Sequence, residues 1–91
     1  MFEWDEAKRE KNLAKHGVDF DLVWDLSWLK AWIRPDIRKD YGELRYVAYI
    51  PIDEVLYCCV YTERNDNKRI ISLRKANSKE IWMYEKETLN D

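Results

Sequence analysis

Cysteine is nearly absent from this 91-residue chain: Cys58 and Cys59 are the only two, and they are adjacent. Neighbouring residues of a strand point to opposite faces, so a bridge between them has poor geometry, and both read as small buried hydrophobes. Histidine is scarcer still, with His16 alone. One imidazole and two adjacent thiols supply no familiar ligand spacing, so no metal site and no cofactor are expected. Long apolar runs and signal-peptide patterns are missing as well, which predicts a protein without a membrane segment that stays in the cytoplasm. Glycine and proline number two each. They fall where the pattern breaks: Gly17 after a charged helical stretch, Pro35 and Gly42 at the ends of a polar turn, and Pro51 in the next turn.

What is abundant points to one small folded unit. Hydrophobic residues make up 46% of the chain, with five Trp and six Tyr, enough for a core, and 37% charged residues describe a solvated exterior. A chain of this length buries only about 60 to 65% of its unfolded surface, so one core and one domain over residues 1–91 are expected. The net charge of −2 hides an uneven distribution. Arg64 to Lys75 holds five cations and one anion, whereas Asp19 to Asp25 holds three anions and Glu80 to Asp91 four anions and one cation. The middle of the chain is therefore basic and its flanks acidic, the kind of local potential that an anionic partner feels.

Hydrophobic spacing predicts an α+β fold. Phe2 and Trp4 alternate around Glu3 as in a short edge strand, and Asp5 caps a helix that ends at Gly17. Phe20, Val23 and Trp24 fall at i, i+3 and i+4 behind Asp19, which predicts a second short helix. The segment LKAWIRP reads as the first main strand, closed by Pro35. Leu44 to Ile50 follows, with Arg45, Val47 and Tyr49 on one face and Leu44, Tyr46, Ala48 and Ile50 on the other. Val55 to Thr62, the most apolar run, reads as a central strand, and ERNDNK as a hairpin loop leading to a last strand from Arg69. The expected layout is thus two N-terminal helices, a mainly antiparallel sheet of about four strands and a C-terminal helix.

The stretch RIISLRKANSKEIWMY, Arg69 to Tyr84, changes period in the middle. Through Leu73 it alternates, with Ile71 and Leu73 on one side and Ile70 and Ser72 on the other. Beyond Ala76 the spacing is helical, behind Asn77 or Ser78 as cap, with Ile81 and Tyr84 expected to dock the helix. Arg69, Arg74, Lys75 and Lys79 thus sit on a rigid frame. Arg74, on a strand between helix and sheet, needs an anionic partner, whether Glu43, Glu80 or phosphate. Asp36 and Arg38 read as a surface pair across a turn, worth about 0 to 1 kcal/mol. The aromatic residues read mainly as core, with base stacking open to Tyr46, Tyr49 and Tyr61 if they are exposed.

The segments FEWD, KHGVDFDLVW, DIRKDYGELR and RIISLRKANSKEIWMY, in this order and over most of the chain, resemble the BrnT family of bacterial type II toxins. The chain departs from the family in the connection PIDE, where glycine is common, and in a pI near 5.5. The resemblance implies a RelE-like α+β fold, a ribonuclease activity that arrests translation, and direct neutralisation by a BrnA-type antitoxin. A hetero-oligomer with that antitoxin follows, with DNA contacted only through it. Metal-free RNA cleavage needs a proton acceptor for the 2′-hydroxyl, a donor to the leaving oxygen and cations for the phosphorane charge. Arg45, Arg64, Arg74 and Lys75 can stabilise that charge, and His16 or Glu43 can move the proton. Arg64, Lys68, Arg69 and Lys79 are the expected RNA contacts. The alternative is a catalytically weak binding module that serves complex assembly and autoregulation. Stand-alone nucleic-acid binding has less support, because no recognition-helix pattern and no strongly basic helix is present.

Overall fold

A computed structural model describes residues 1–89. In chain order the elements are strand β1 (Phe2–Glu3), helix α1 (Glu6–His16), two 3-10 turns (Phe20–Trp24 and Trp28–Lys30), strands β2 (Trp32–Pro35), β3 (Arg45–Ile52), β4 (Val55–Arg64) and β5 (Asn67–Lys75), and helix α2 (Ser78–Thr88). The strands form one sheet in the order β1-β5-β4-β3-β2, with β4 at its centre as its apolar composition predicts.

The class is α+β, but the expected layout needs two corrections. The sheet has five strands and is mixed, because β1 pairs in parallel with β5, Phe2 opposite Lys68 and Glu3 opposite Arg69. Two residues are too few to show a period, and side chains secure this edge: Glu3 accepts from Arg69 at 2.7 Å and from Asn67 at 3.0 Å. The second expected helix is a 3-10 segment, leaving α1 as the one N-terminal α-helix. Phe20, Val23 and Leu26 are all buried and fall every three residues, matching three residues per turn, whereas Trp24, the residue that suggested an α-helical period, is 54% exposed.

Caps and turns follow side-chain chemistry closely. Asp5 accepts hydrogen bonds from the backbone N–H groups of Ala7 and Lys8, and Gly17 closes α1 at φ 71°. Asn77 and Glu80 form a reciprocal capping box on α2. The β4–β5 connection contracts from the expected six-residue loop to Asn65 and Asp66, both at positive φ, as a tight hairpin requires. Asp53 takes φ 52° in the turn between β3 and β4.

The core lies between one face of the sheet and the layer formed by α1 and the 3-10 turns. Phe20, Val23, Ile50, Cys59, Ile70 and Leu73 are its most completely buried side chains. Ile70 and Leu73 both point into it because the register slips between Val60 and Tyr61, so that Ile71 is an extra residue on β5. This bulge breaks the strict alternation expected there and moves the anchoring role from Ile71 to Ile70. At the same strand, buried Asn12 of α1 bonds the backbone of Leu73 in both directions, accepting from its N–H at 3.1 Å and donating to its carbonyl at 2.7 Å. A side-chain amide thus satisfies the edge of β5 that β1 does not reach. Helix α2 buries none of its residues. The Tyr84 hydroxyl donates to the Lys30 carbonyl at 2.7 Å and holds the helix, while Ile81 stays exposed.

Candidate functional site

The sheet face opposite the core is covered in part by α2 and by the segment that follows β2, and it carries a cleft. Its floor follows from strand alternation and register: Tyr49, Cys58 and Arg74 form one row across β3, β4 and β5, and Val47, Val60 and Ser72 form the next. On β2, Trp32 is in register with Tyr49 and Arg34 with Val47. The segment Arg34 to Arg38 forms one wall and Glu80 of α2 closes the other, around a cavity of about 320 Å³.

Two carboxylates in this cleft are fully engaged. Asp36, its side chain 1% exposed, accepts from Arg38 Nε and Nη2, each at 2.8 Å, and from the Tyr41 hydroxyl at 3.1 Å. The Arg38 bonds hold its pKa down at about 2 despite burial. The pair expected across this turn thus joins an exposed Arg38 to a buried Asp36, and the buried carboxylate anchors the loop between β2 and β3. Glu80 accepts from Arg74 Nη1 at 2.8 Å and Nη2 at 2.9 Å, and from the Tyr49 hydroxyl at 3.2 Å. Its pKa is likewise pulled to about 2, chiefly by Arg74. Burial, with the nearby Cys58 and Glu80, pushes the Tyr49 hydroxyl up to about 12, and burial raises the Cys58 thiol to about 11. Both stay protonated at neutral pH.

The residues singled out from sequence fall in different places. Arg74 lines the cleft. His16, half-buried at the end of α1, has its pKa lowered by burial, by Lys15 and by the charge of Arg74, so its imidazole is neutral at pH 7. Lys75 is exposed where β5 ends, and Lys79 is exposed in the first turn of α2. Glu43, Arg45 and Arg64 form a separate cluster: Glu43 accepts from Arg45 Nε at 3.1 Å and lies 3.6 Å from Arg64 Nη2. Arg45 precedes Tyr49 by four residues on β3, which places this cluster about 13 Å along the sheet from the Tyr49–Arg74 row. Tyr41 joins the two regions, since its ring lies 4.1 Å from the Arg45 guanidinium carbon while its hydroxyl reaches Asp36. Lys68 sits over the rings of Trp28 and Tyr61, and Arg69 is paired with Glu3. Tyr61 is buried and stacks on Tyr46, so it offers no open face for a base.

Sequence reading passed over Arg34 and Ser72. Their signal is the alternation of β2, which sets Trp32 and Arg34 on one face with Ile33 on the other, and of the last residues of β5, which sets Ser72 with Arg74. Neither is informative until the register is known. Among the described residues no cluster of His, Cys, Asp and Glu has the arrangement to hold a metal ion, and no helix is long and apolar enough to cross a membrane.

The arginines that wall this cleft carry the kind of donors that phosphate-bearing partners engage. The sequence profile of the BrnT ribonuclease toxins of type II toxin-antitoxin systems matches residues 4–80. The chain belongs to this family, and membership brings with it an antitoxin protein as partner. None of the curated proteins matches the chain.

Proposed function

We propose that the chain is an endoribonuclease that cuts RNA in this cleft without a metal ion, arresting translation and growth in the cytoplasm until a BrnA-type antitoxin binds it. The convergence of Arg34, Arg38 and Arg74 on one hollow carries this reading. Attack of a 2′-hydroxyl on the adjacent phosphorus builds negative charge on the non-bridging oxygens, and guanidinium forks stabilise that charge bidentately. His16, neutral at pH 7, is the candidate proton acceptor by its chemistry, but it stands at the end of α1 on the core side of β5 and is not among the residues that line the cleft. Glu43, held by two arginines away from the cleft, is less suited. The Glu43, Arg45 and Arg64 cluster, with Lys68, Arg69, Lys75 and Lys79, then contacts RNA outside the reacting phosphate. The toxin and antitoxin form a hetero-oligomer that reaches DNA only through the antitoxin.

Expression without antitoxin is expected to stop growth with cleaved RNA, and the purified chain to cut RNA in the presence of a chelator. Intact RNA alongside folded protein would refute the proposal. A second reading, a weakly active binding module, draws support from Asp36 and Glu80, which occupy donors of Arg38 and Arg74. It predicts tight antitoxin binding that survives substitution of Arg64 and Arg74, with no cleavage by the unsubstituted protein.

A further inference from the structure

The three cleft arginines are not equally available. Arg38 has given Nε and Nη2 to Asp36, and Arg74 has given Nη1 and Nη2 to Glu80. A phosphate approaching either of them meets a carboxylate, ionised at neutral pH, within hydrogen-bond distance of the same guanidinium. Arg34 differs: among the described residues it pairs with no carboxylate. It is exposed on the edge strand β2 and lines the cleft. Its guanidinium carbon lies 5.2 Å from the centre of the Trp32 ring, and that ring leans on Tyr49 at 5.6 Å. Contact with a ring face steadies a guanidinium while leaving its N–H donors free. Arg34 is therefore preorganised and charged, with its donors uncommitted.

We propose that Arg34 is the residue with which the cleft first grips a backbone phosphate of single-stranded RNA, Trp32 serving as the platform that holds its guanidinium in place. The inference rests on the nuclease reading of this cleft. A cavity of about 320 Å³ has room for about one nucleotide, which favours a single strand over a duplex. Arg38 and Arg74 engage afterwards, once the phosphate competes with Asp36 and Glu80 for their donors.

Binding of a fluorescent single-stranded RNA carrying 2′-O-methyl groups, which cannot be cut, tests this on the full chain across a salt titration. Arg34→Ala is expected to weaken binding about tenfold at low salt and to reduce the slope of log K against log salt by about 0.7, the share of one phosphate contact. Arg34→Lys keeps the slope but not the full affinity, because an ammonium restores the charge without the fork. Lys11→Ala, at a solvent-facing cation of α1, serves as the comparison and keeps both. The Arg34 variants melt within a few degrees of the parent, since the side chain is exposed. Arg34→Ala with parental affinity and slope overturns the proposal, as does a parent protein that does not bind this RNA. Arg34-dependent binding combined with failure to cut the same RNA bearing 2′-hydroxyls supports the contact while overturning the nuclease reading.

Discussion

Asn12→Leu offers the sharpest test of how α1 is fixed to the sheet. The Asn12 side chain makes three buried hydrogen bonds: its amide donates to Val18 O at 3.0 Å and Leu73 O at 2.7 Å, and its oxygen accepts from Leu73 N at 3.1 Å. Leucine fills nearly the same volume but leaves those three main-chain groups without partners. Each unsatisfied group costs about 1 to 3 kcal/mol. Burial of the new apolar side chain returns about 1.5 to 3 kcal/mol. The net loss is then on the order of 3 kcal/mol, a large part of the roughly 5 to 15 kcal/mol that holds a small domain together. A melting point lower by about 12 to 24 °C follows for a domain of this size.

Asn12→Asp separates hydrogen bonding from shape. It keeps the acceptor for Leu73 N–H but turns a carboxylate oxygen toward two carbonyls in a buried site, so the pKa of the new carboxyl is raised above its unfolded value. A group whose folded pKa is raised penalises stability least below its unfolded pKa and increasingly as pH rises toward the folded one. Urea unfolding at pH 4 and pH 7, each referred to the parent at the same pH, should therefore show a smaller deficit at pH 4 for Asn12→Asp and an equal deficit at both for Asn12→Leu. A leucine variant within about 1 kcal/mol of the parent would refute the edge-capping role. So would a pH-independent aspartate variant.

The parent protein should lose stability as pH falls from the ordinary carboxylate range toward about 2, because Asp36 and Glu80 have folded pKa values near 2 and must be protonated against their arginines. Asp36→Asn combined with Glu80→Gln should flatten urea midpoints over that window, and an unchanged acid limb would count against both pairs. Phe20→Ala is expected to cost about 3 to 5 kcal/mol. Trp24→Ala is expected to cost only about 1 kcal/mol, the worth of its edge contact with Phe2. Comparable losses at the two positions would contradict the three-residue period. The thiols of Cys58 and Cys59, buried and with raised pKa values, should react with a disulfide reagent at pH 8 only on unfolding; rapid labelling of the native protein would show the cleft floor to be open.

Much of the fold was legible wherever one residue acts on its own neighbours. Asp5, Gly17 and Asn77 cap their helices because the groups they satisfy lie within a few residues. The apolar run of β4 identified the central strand, since only a fully flanked strand buries both faces. Non-local features were not legible: the parallel pairing of β1, the bulge that brings Ile70 to the core and the completion of β5 by Asn12 depend on residues more than sixty positions apart or on a register with no local signal.

The candidate site divides in the same way. The place of Arg74 on a strand between helix and sheet marked it as a cation in need of an anion, and Glu80, one of the partners considered, answers it. The four motifs, read along the chain, also carried the family. Sequence could not show that Glu43, Arg45 and Arg64 stand apart from Arg74, that Asp36 is buried rather than a surface partner, or that Arg34 faces the same hollow. Those depend on which strand lies beside which, and on a loop anchored by one buried carboxylate. Chain order determined the caps, the strands and the kind of chemistry. Strand register and burial, set by packing over the whole sheet, decided which charges meet and which of the three cleft arginines, among the described residues, pairs with no carboxylate.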